Sequence, residues 1–342
     1  MQKAIVRLFI ASIFTVVVLG LLAGPASARK TIIKLATLAP EGSSWMNVFN
    51  AFKQEVSQKT EGQVKIRIYP GGVLGDERDM LRKMHIGQIQ AAALTSAGLS
   101  AIFAEFDVFQ IPFMFQNYEE VDYVVKQTET YFRKGLEDKG YVLIGWSEGG
   151  FVQLMSTVPA DTIARLKNAK VWTWQDSPMS KAIFDEAGVA AIPLSVPDVL
   201  VGLQTGLVDV VYAPPSGAIS LQWFTRIKYI VDVPLIYLLG GLVVRKSVYD
   251  NISDEHQAVL DDVAPVYLQR LKAMVRRDNQ EALAVMAAQG IQTLVPGEEE
   301  VIEFKRVSNS AMDKMQSAGD TFSAEARERF MRLLKSFREA NR

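Results

Sequence analysis

Apolar residues recur along this chain with two periods, and the switches between them mark alternating strands and helices. Residues 32–35 form a short β-branched run. After the turn signals Pro40 and Gly42, Ser43 or Ser44 offers a helix cap. Trp45, Val48, Phe49, Phe52 and Val56 then fall on one helical face. Gly62 closes that element. Val64, Ile66 and Ile68 alternate with Lys65, Arg67 and Tyr69, the period of a half-buried strand, and Pro70-Gly71-Gly72 turns the chain. A helix over 76–86 buries Met80, Leu81 and Met84. The small apolar run 89–94 suits a buried parallel strand. Strands that begin about 30 residues apart indicate βαβ units and a parallel sheet.

The later pattern continues in the same style. Residues 118–139 read as a helix and 141–146 as a strand, with Gly149-Gly150 as a loop at its end. Strands are expected over 170–174 and 208–213, with a helix between them that carries Pro197 in its first turn. Ser253 or Asp254 caps a long helix running to about 288, kinked at Pro265. The stretch 298–337 is helical and charged, and Glu298-Glu299-Glu300 suits a helix start, where negative charge is favoured. No flexible linker or short repeat interrupts the pattern, so lobe crossovers are expected to be tight.

The N-terminus changes the picture. Lys3 and Arg7 precede an apolar run over 8–23, and Ala26-Ser27-Ala28 is a small-x-small cleavage site. Residues 1–28 are therefore expected to be a cleaved export signal, placing the mature chain in a periplasm. The rest is long enough for two lobes with separate cores. The 37 Lys and Arg nearly balance the 38 Asp and Glu, so no basic excess argues for nucleic acid. With no cysteine, disulfides and thiolate metal sites are excluded. His85 and His256 lie on different predicted helices without metal-ligand spacing. No nucleophile elbow, Walker loop or His-Glu-x-x-His occurs, so neither a catalytic centre, a cofactor nor a metal is expected.

Five motifs carry a resemblance. They are the turn and helix start over 69–78, the step Ile86-Gly87-Gln88-Ile89-Gln90, and the run Phe109-Gln110-Ile111-Pro112-Phe113-Met114-Phe115. Leu166-Lys167-Asn168-Ala169-Lys170-Val171 and Leu203-Gln204-Thr205-Gly206-Leu207-Val208-Asp209 complete the set. In this order they resemble the extracytoplasmic solute receptors of tripartite ATP-independent periplasmic (TRAP) transporters, of the dicarboxylate-receptor type. The resemblance implies an α/β, two-lobed periplasmic solute-binding protein with a central sheet in each lobe and a long lobe-spanning helix. It implies a small-molecule ligand, cleft closure on binding, and docking to the membrane subunits of a TRAP transporter. The expected lobes are 29–155 plus 240–280 and 156–239 plus 281–342.

The departures from that family bear on the ligand. The arginine of its Lys-Ile-Arg stretch falls on Trp172, a frequent Gly-Phe-Arg reads Gly150-Phe151-Val152, and an asparagine becomes Ala213. Three hydrogen-bonding positions are apolar together, which points to an apolar or amphipathic ligand. A branch of these receptors associated with tetratricopeptide-repeat partners favours such ligands, and this chain resembles it. Trp172 and Trp174 sit two apart on a strand and share a face, so both are candidates for the cleft wall, against core packing. Trp45 stands at the carboxyl end of the first strand, where α/β sheets bind ligands, and Tyr212 offers one hydroxyl. Phe113 reads as structural. The competing readings are a conventional organic-acid receptor, a ligand sensor, and an extracytoplasmic hydrolase using Asp176 and Glu148, which would need converging carboxylates.

Overall fold

The structure, a computed structural model, describes residues 30–175, 177–319 and 321–341. The expected export signal lies outside the described residues. Strand β1 (Thr31–Thr37) leads to α1 (Ser44–Lys59), where the Ser43 hydroxyl accepts from the Met46 N–H and caps the helix. After β2 (Val64–Tyr69), Asp76 and Asp79 form a reciprocal capping box at the start of α2 (Glu77–His85). Then come β3 (Ala91–Thr95), α3 (Ser96–Ser100), a 3-10 turn over Ala104–Gln110, and α4 (Tyr118–Asp138). The βαβ expectation holds here, for β2, β1 and β3 pair in parallel in that order.

Strand β4 (Tyr141–Ser156) is much longer than the expected 141–146. Gly149-Gly150 is not a strand-end loop but lies inside the strand, at a register shift against the partner strand. Gly150 adopts a φ of +98°, and a Cβ there would sit 2.4 Å from the Asn279 amide nitrogen. The glycine therefore lets the ladder resume beyond a bulge instead of ending it.

Beyond β4 the chain forms α5 (Ile163–Lys167), β5 (Val171–Trp174), α6 (Pro178–Ala187) and β6 (Ala191–Leu194). A 3-10 turn over Val196–Asp198 carries Pro197 into α7 (Val199–Thr205), followed by β7 (Val210–Ala213) and α8 (Pro215–Ser220). Next are β8 (Tyr229–Val231), β9 (Ile236–Arg245), α9 (Lys246–Tyr249) and α10 (Asp254–Ala288). Strand β10 (Gln292–Leu294) precedes α11 (Glu298–Ala318) and α12 (Ala324–Ala340). The expected helical C-terminal stretch consists of two helices, parted after Ala318 by Gly319 as the C-cap.

Two sheet regions share β4. Its first part lies against β9, which is antiparallel to both β4 and β3. Its last residues pair with β7 and β8, and β5 lies parallel between β7 and β6. The two-lobed α/β fold therefore hinges on strands that run through both regions. Helix α10 also spans them. Leu260, Val263, Leu268 and Leu271 pack in one core with α1, while Met286 joins a second core with Trp172 and Trp223. It continues through Pro265 as one 35-residue helix. At its crossing point buried Asn279 donates to the Gly149 carbonyl at 2.8 Å and accepts from the Ser216 N–H at 2.9 Å, pinning β4 to α8. Helix α12 returns to pack on the 3-10 turn and α4: Phe330 meets Phe109 at 4.9 Å, and Arg338 bonds buried Glu120.

Candidate ligand-binding cleft

The ends of β1, β3, β5 and β7 converge on a cavity of about 190 Å³ between the sheet regions, lined by Thr37, Thr95, Trp174 and Ala213 from those ends. This is where parallel strands present their carboxyl ends to a ligand. All six residues singled out from the sequence line this one cavity: Trp45, Val152, Trp172, Trp174, Tyr212 and Ala213. Trp172 and Trp174 reach it from one face of β5, as their period requires. Trp172 is only 2% exposed and is also part of a core cluster. Its ring stacks on Tyr212 with centroids 4.7 Å apart and meets Trp223 edge-on at 5.4 Å. Its indole N–H donates to the Leu194 carbonyl at 3.1 Å. Trp172 thus lines the cavity and packs in the core with the same side chain. Phe113 lies outside this cavity.

The sequence reading missed several wall residues. Trp223 stands on a 3-10 turn after α8 and had no periodic signal to place it. Glu77 lies within the recognised turn and helix start, so its position was marked but its role was not. Leu238 and Leu239 come from β9, a strand the pattern did not reveal.

Glu77 and Glu148 are the charged residues that line the cavity, and no lysine, arginine or histidine does so among the described residues. Glu148 is held from the long helix: Arg276 donates to it at 2.7 and 3.1 Å and reaches Asp122 at 2.6 and 2.9 Å. A hydrolase would have paired Glu148 with Asp176. Asp176 lies outside the described residues, and Glu148 is already committed to Arg276.

A third acidic residue bridges the two sides of the cavity. Buried Asp76, the cap of α2, uses Oδ2 to accept from the Trp174 indole N–H at 2.8 Å and from the Val196 N–H at 3.0 Å. Both donors lie in the opposite sheet region, so one carboxylate ties the two sides together.

Beside it, Glu77 is buried and accepts from the Thr95 N–H at 2.7 Å and hydroxyl at 2.8 Å. Burial pushes its carboxyl up from 4.5 to about 8, against the lowering effect of the hydrogen bonds from Thr95 and Gly98. Gly98 permits this approach, since a Cβ there would sit 2.4 Å from Glu77 Oε2. A raised folded value means the folded chain binds this proton more tightly than the unfolded chain. The stability from that proton is fully present below about 4.5 and is lost as the pH rises through about 8. Urea midpoints are therefore expected to fall as the pH rises from about 6 to 8, and Glu77→Gln is expected to flatten that fall. Equal slopes for the two proteins would contradict this role. Asp107, pushed by burial only to about 6, titrates below that window.

Residues 35–318 match the family profile described as bacterial extracellular solute-binding protein, family 7. The chain belongs to this family. Among family 7 relatives, the 2,3-diketo-L-gulonate-binding periplasmic protein of Escherichia coli is 25% identical over 71% of this chain and 74% of its own. The family 7 fold is shared with solved structures. A sugar acid binding protein from Advenella mimigardefordensis, in complex with galactonate, superposes with a TM-score of 0.84 at 18% identity, covering 91% of this chain and 99% of that one. A TRAP periplasmic solute binding protein from Ochrobactrum anthropi, with its C-terminus bound in the ligand-binding pocket, gives 0.77 at 25% identity over 92% and 98%. Membership in family 7 makes this chain an extracytoplasmic solute-binding protein. Among the described residues no helix is long and apolar enough to cross a membrane.

Proposed function

We propose that this chain is the substrate-capturing receptor of a TRAP-type secondary transporter, and that its ligand is a small apolar or amphipathic molecule. The observation that carries the ligand class is the wall of the cavity, where Trp45, Trp172, Trp174 and Trp223 stand and no lysine, arginine or histidine is among the described lining residues. A carboxylate buried there without a cationic partner costs several kcal/mol. An apolar ligand instead gains roughly 25 cal/mol per Å² removed from water. Closure would draw the Asp76 side onto Trp174 and Val196, and the closed form would dock on the membrane subunits. The tetratricopeptide-repeat partner stands or falls with the apolar ligand. For the lobes we propose 29–155 plus 240–280 and 156–239 plus 281–323. Residues 324–340 go to the first lobe because Phe330 and Arg338 pack there.

A second reading, a conventional organic-acid receptor, is favoured by the sugar acids named for the relatives. Neutral donors such as Ser147 and Gln110 would then hold the carboxylate. Calorimetry on the mature chain with galactonate, succinate, indole and 1-octanol separates the two. The apolar reading expects the neutral compounds to bind at least tenfold more tightly than the acids. Micromolar galactonate with no measurable heat from indole or octanol would replace it with the organic-acid reading.

A further inference from the structure

Behind the wall of the main cavity lies a second one of about 80 Å³, between β4, α6 and α11. The two cavities share Val152, Ser180, Tyr212 and Ile236, so the partition is one layer of side chains. Tyr212 forms its centre. One ring neighbour is Trp172 in the main cavity, and another is Phe184, 6.1 Å away in the second. Its hydroxyl accepts from the Trp174 N–H at 3.1 Å and donates to Ser180 Oγ at 3.1 Å. These two bonds hold the ring between the two cavities. The rest of the second cavity is lined mostly by aliphatic and aromatic side chains, among them Leu166, Ile183, Phe304 and Val307.

Phe113 adds an independent observation. It lines the second cavity and adopts a φ of +58°, in the left-handed region that a bulky residue rarely enters. Its N–H donates to the Leu235 carbonyl at 2.7 Å, which fixes that conformation. Strained residues of this kind persist where the surroundings over-determine them, often at ligand clamps. Here the strained backbone places Phe113 in the wall of the apolar chamber.

We infer that the cleft continues past Tyr212 into this second chamber, which takes the alkyl end of an amphipathic ligand whose head lies against Trp172. This inference rests on the apolar reading of the main cavity. It adds a chain-length preference, set by Tyr212 as a gate and by Ala187, Val307 and Phe113 as the floor.

The test is calorimetry of the mature chain with straight-chain 1-alkanols of about four to twelve carbons. Each buried methylene is expected to raise affinity about fourfold until the second chamber is full. Ala187→Leu fills that chamber from α6, and the gain is expected to stop roughly two to four carbons sooner, with butanol binding as before. Ser308→Leu fills it from α11 and gives the same result if Ala187→Leu does not fold. Identical chain-length profiles in the wild type and the filled variants would overturn the second chamber while leaving the apolar main cavity intact. If no alkanol of any length binds while galactonate does, the apolar reading itself fails, and the inference with it.

Discussion

Asp76→Ala is expected to leave the cleft mostly open and to weaken ligand binding by 100-fold or more. Asp76 Oδ2 accepts two hydrogen bonds that cross from one sheet region to the other, from Trp174 Nε1 and from the Val196 backbone. Hydrogen bonds to charged groups contribute about 1.5–3 kcal/mol each, and removing the acceptor also strands two donors in the closed form. About 3–5 kcal/mol would then be lost from the closed state alone, which converts to a factor of at least 100 in affinity. Asp76 also caps α2 through the Glu77 N–H at 2.8 Å. Loss of that cap costs on the order of 1 kcal/mol, but it is felt equally by open and closed forms and leaves their ratio alone. Trp174→Phe isolates the latch, because it removes one cross-cleft donor and keeps the cap; about a tenfold loss is expected. Calorimetry gives the affinities, and small-angle scattering with saturating ligand gives the envelope. Wild-type affinity together with a wild-type compact envelope in Asp76→Ala would remove the latch from the account.

The second large effect is at Trp172. This side chain is 2% exposed, stacks on Tyr212 and contacts Trp223, so Trp172→Ala opens a cavity in the core beside the cleft. A loss of about 3–5 kcal/mol in stability is expected from the truncation. The Leu194 carbonyl also loses its indole donor. Ligand affinity should fall by a further 1–3 kcal/mol, as for loss of a well-packed aromatic wall. Trp172→Phe keeps a ring in place and separates the two losses, with most of the stability retained. Urea titration reads the first quantity and calorimetry with indole the second. An organic acid that binds equally well to wild type and Trp172→Ala would place the ligand elsewhere in the cleft.

Much of the first sheet region was legible because its elements carry their own signals. Ser43 caps α1, the alternation of Val64, Ile66 and Ile68 sets β2, and the small apolar run after Gly87 suits β3, buried between two strands. Strands such as β9 and the far half of β4 escaped the pattern. They are buried on both faces and contain paired glycines at 149–150 and 240–241, so neither alternation nor a turn signal separates them from loops. Helix α6 and strand β6 were missed for a related reason: each is short, and Pro193 sits inside the strand, at the edge of the sheet order, where its missing N–H costs no ladder bond.

The candidate cleft divides along the same line. The family resemblance named Trp172, Val152 and Ala213 as apolar departures, while strand period and strand ends named Trp174, Tyr212 and Trp45. The second group rests on a residue and its neighbours in sequence, the first on the resemblance. That Asp76 reaches Trp174 and Val196, 98 and 120 residues away, depends on how the two sheet regions approach each other. So does the burial of Glu77 against Thr95 and Gly98, and so does the thin wall that Tyr212 makes between two cavities. A sequence records side-chain chemistry and local periodicity on its own. Desolvation, cross-cleft hydrogen bonds and cavity shape arise only when distant segments exclude water together, and only the tertiary structure decides them.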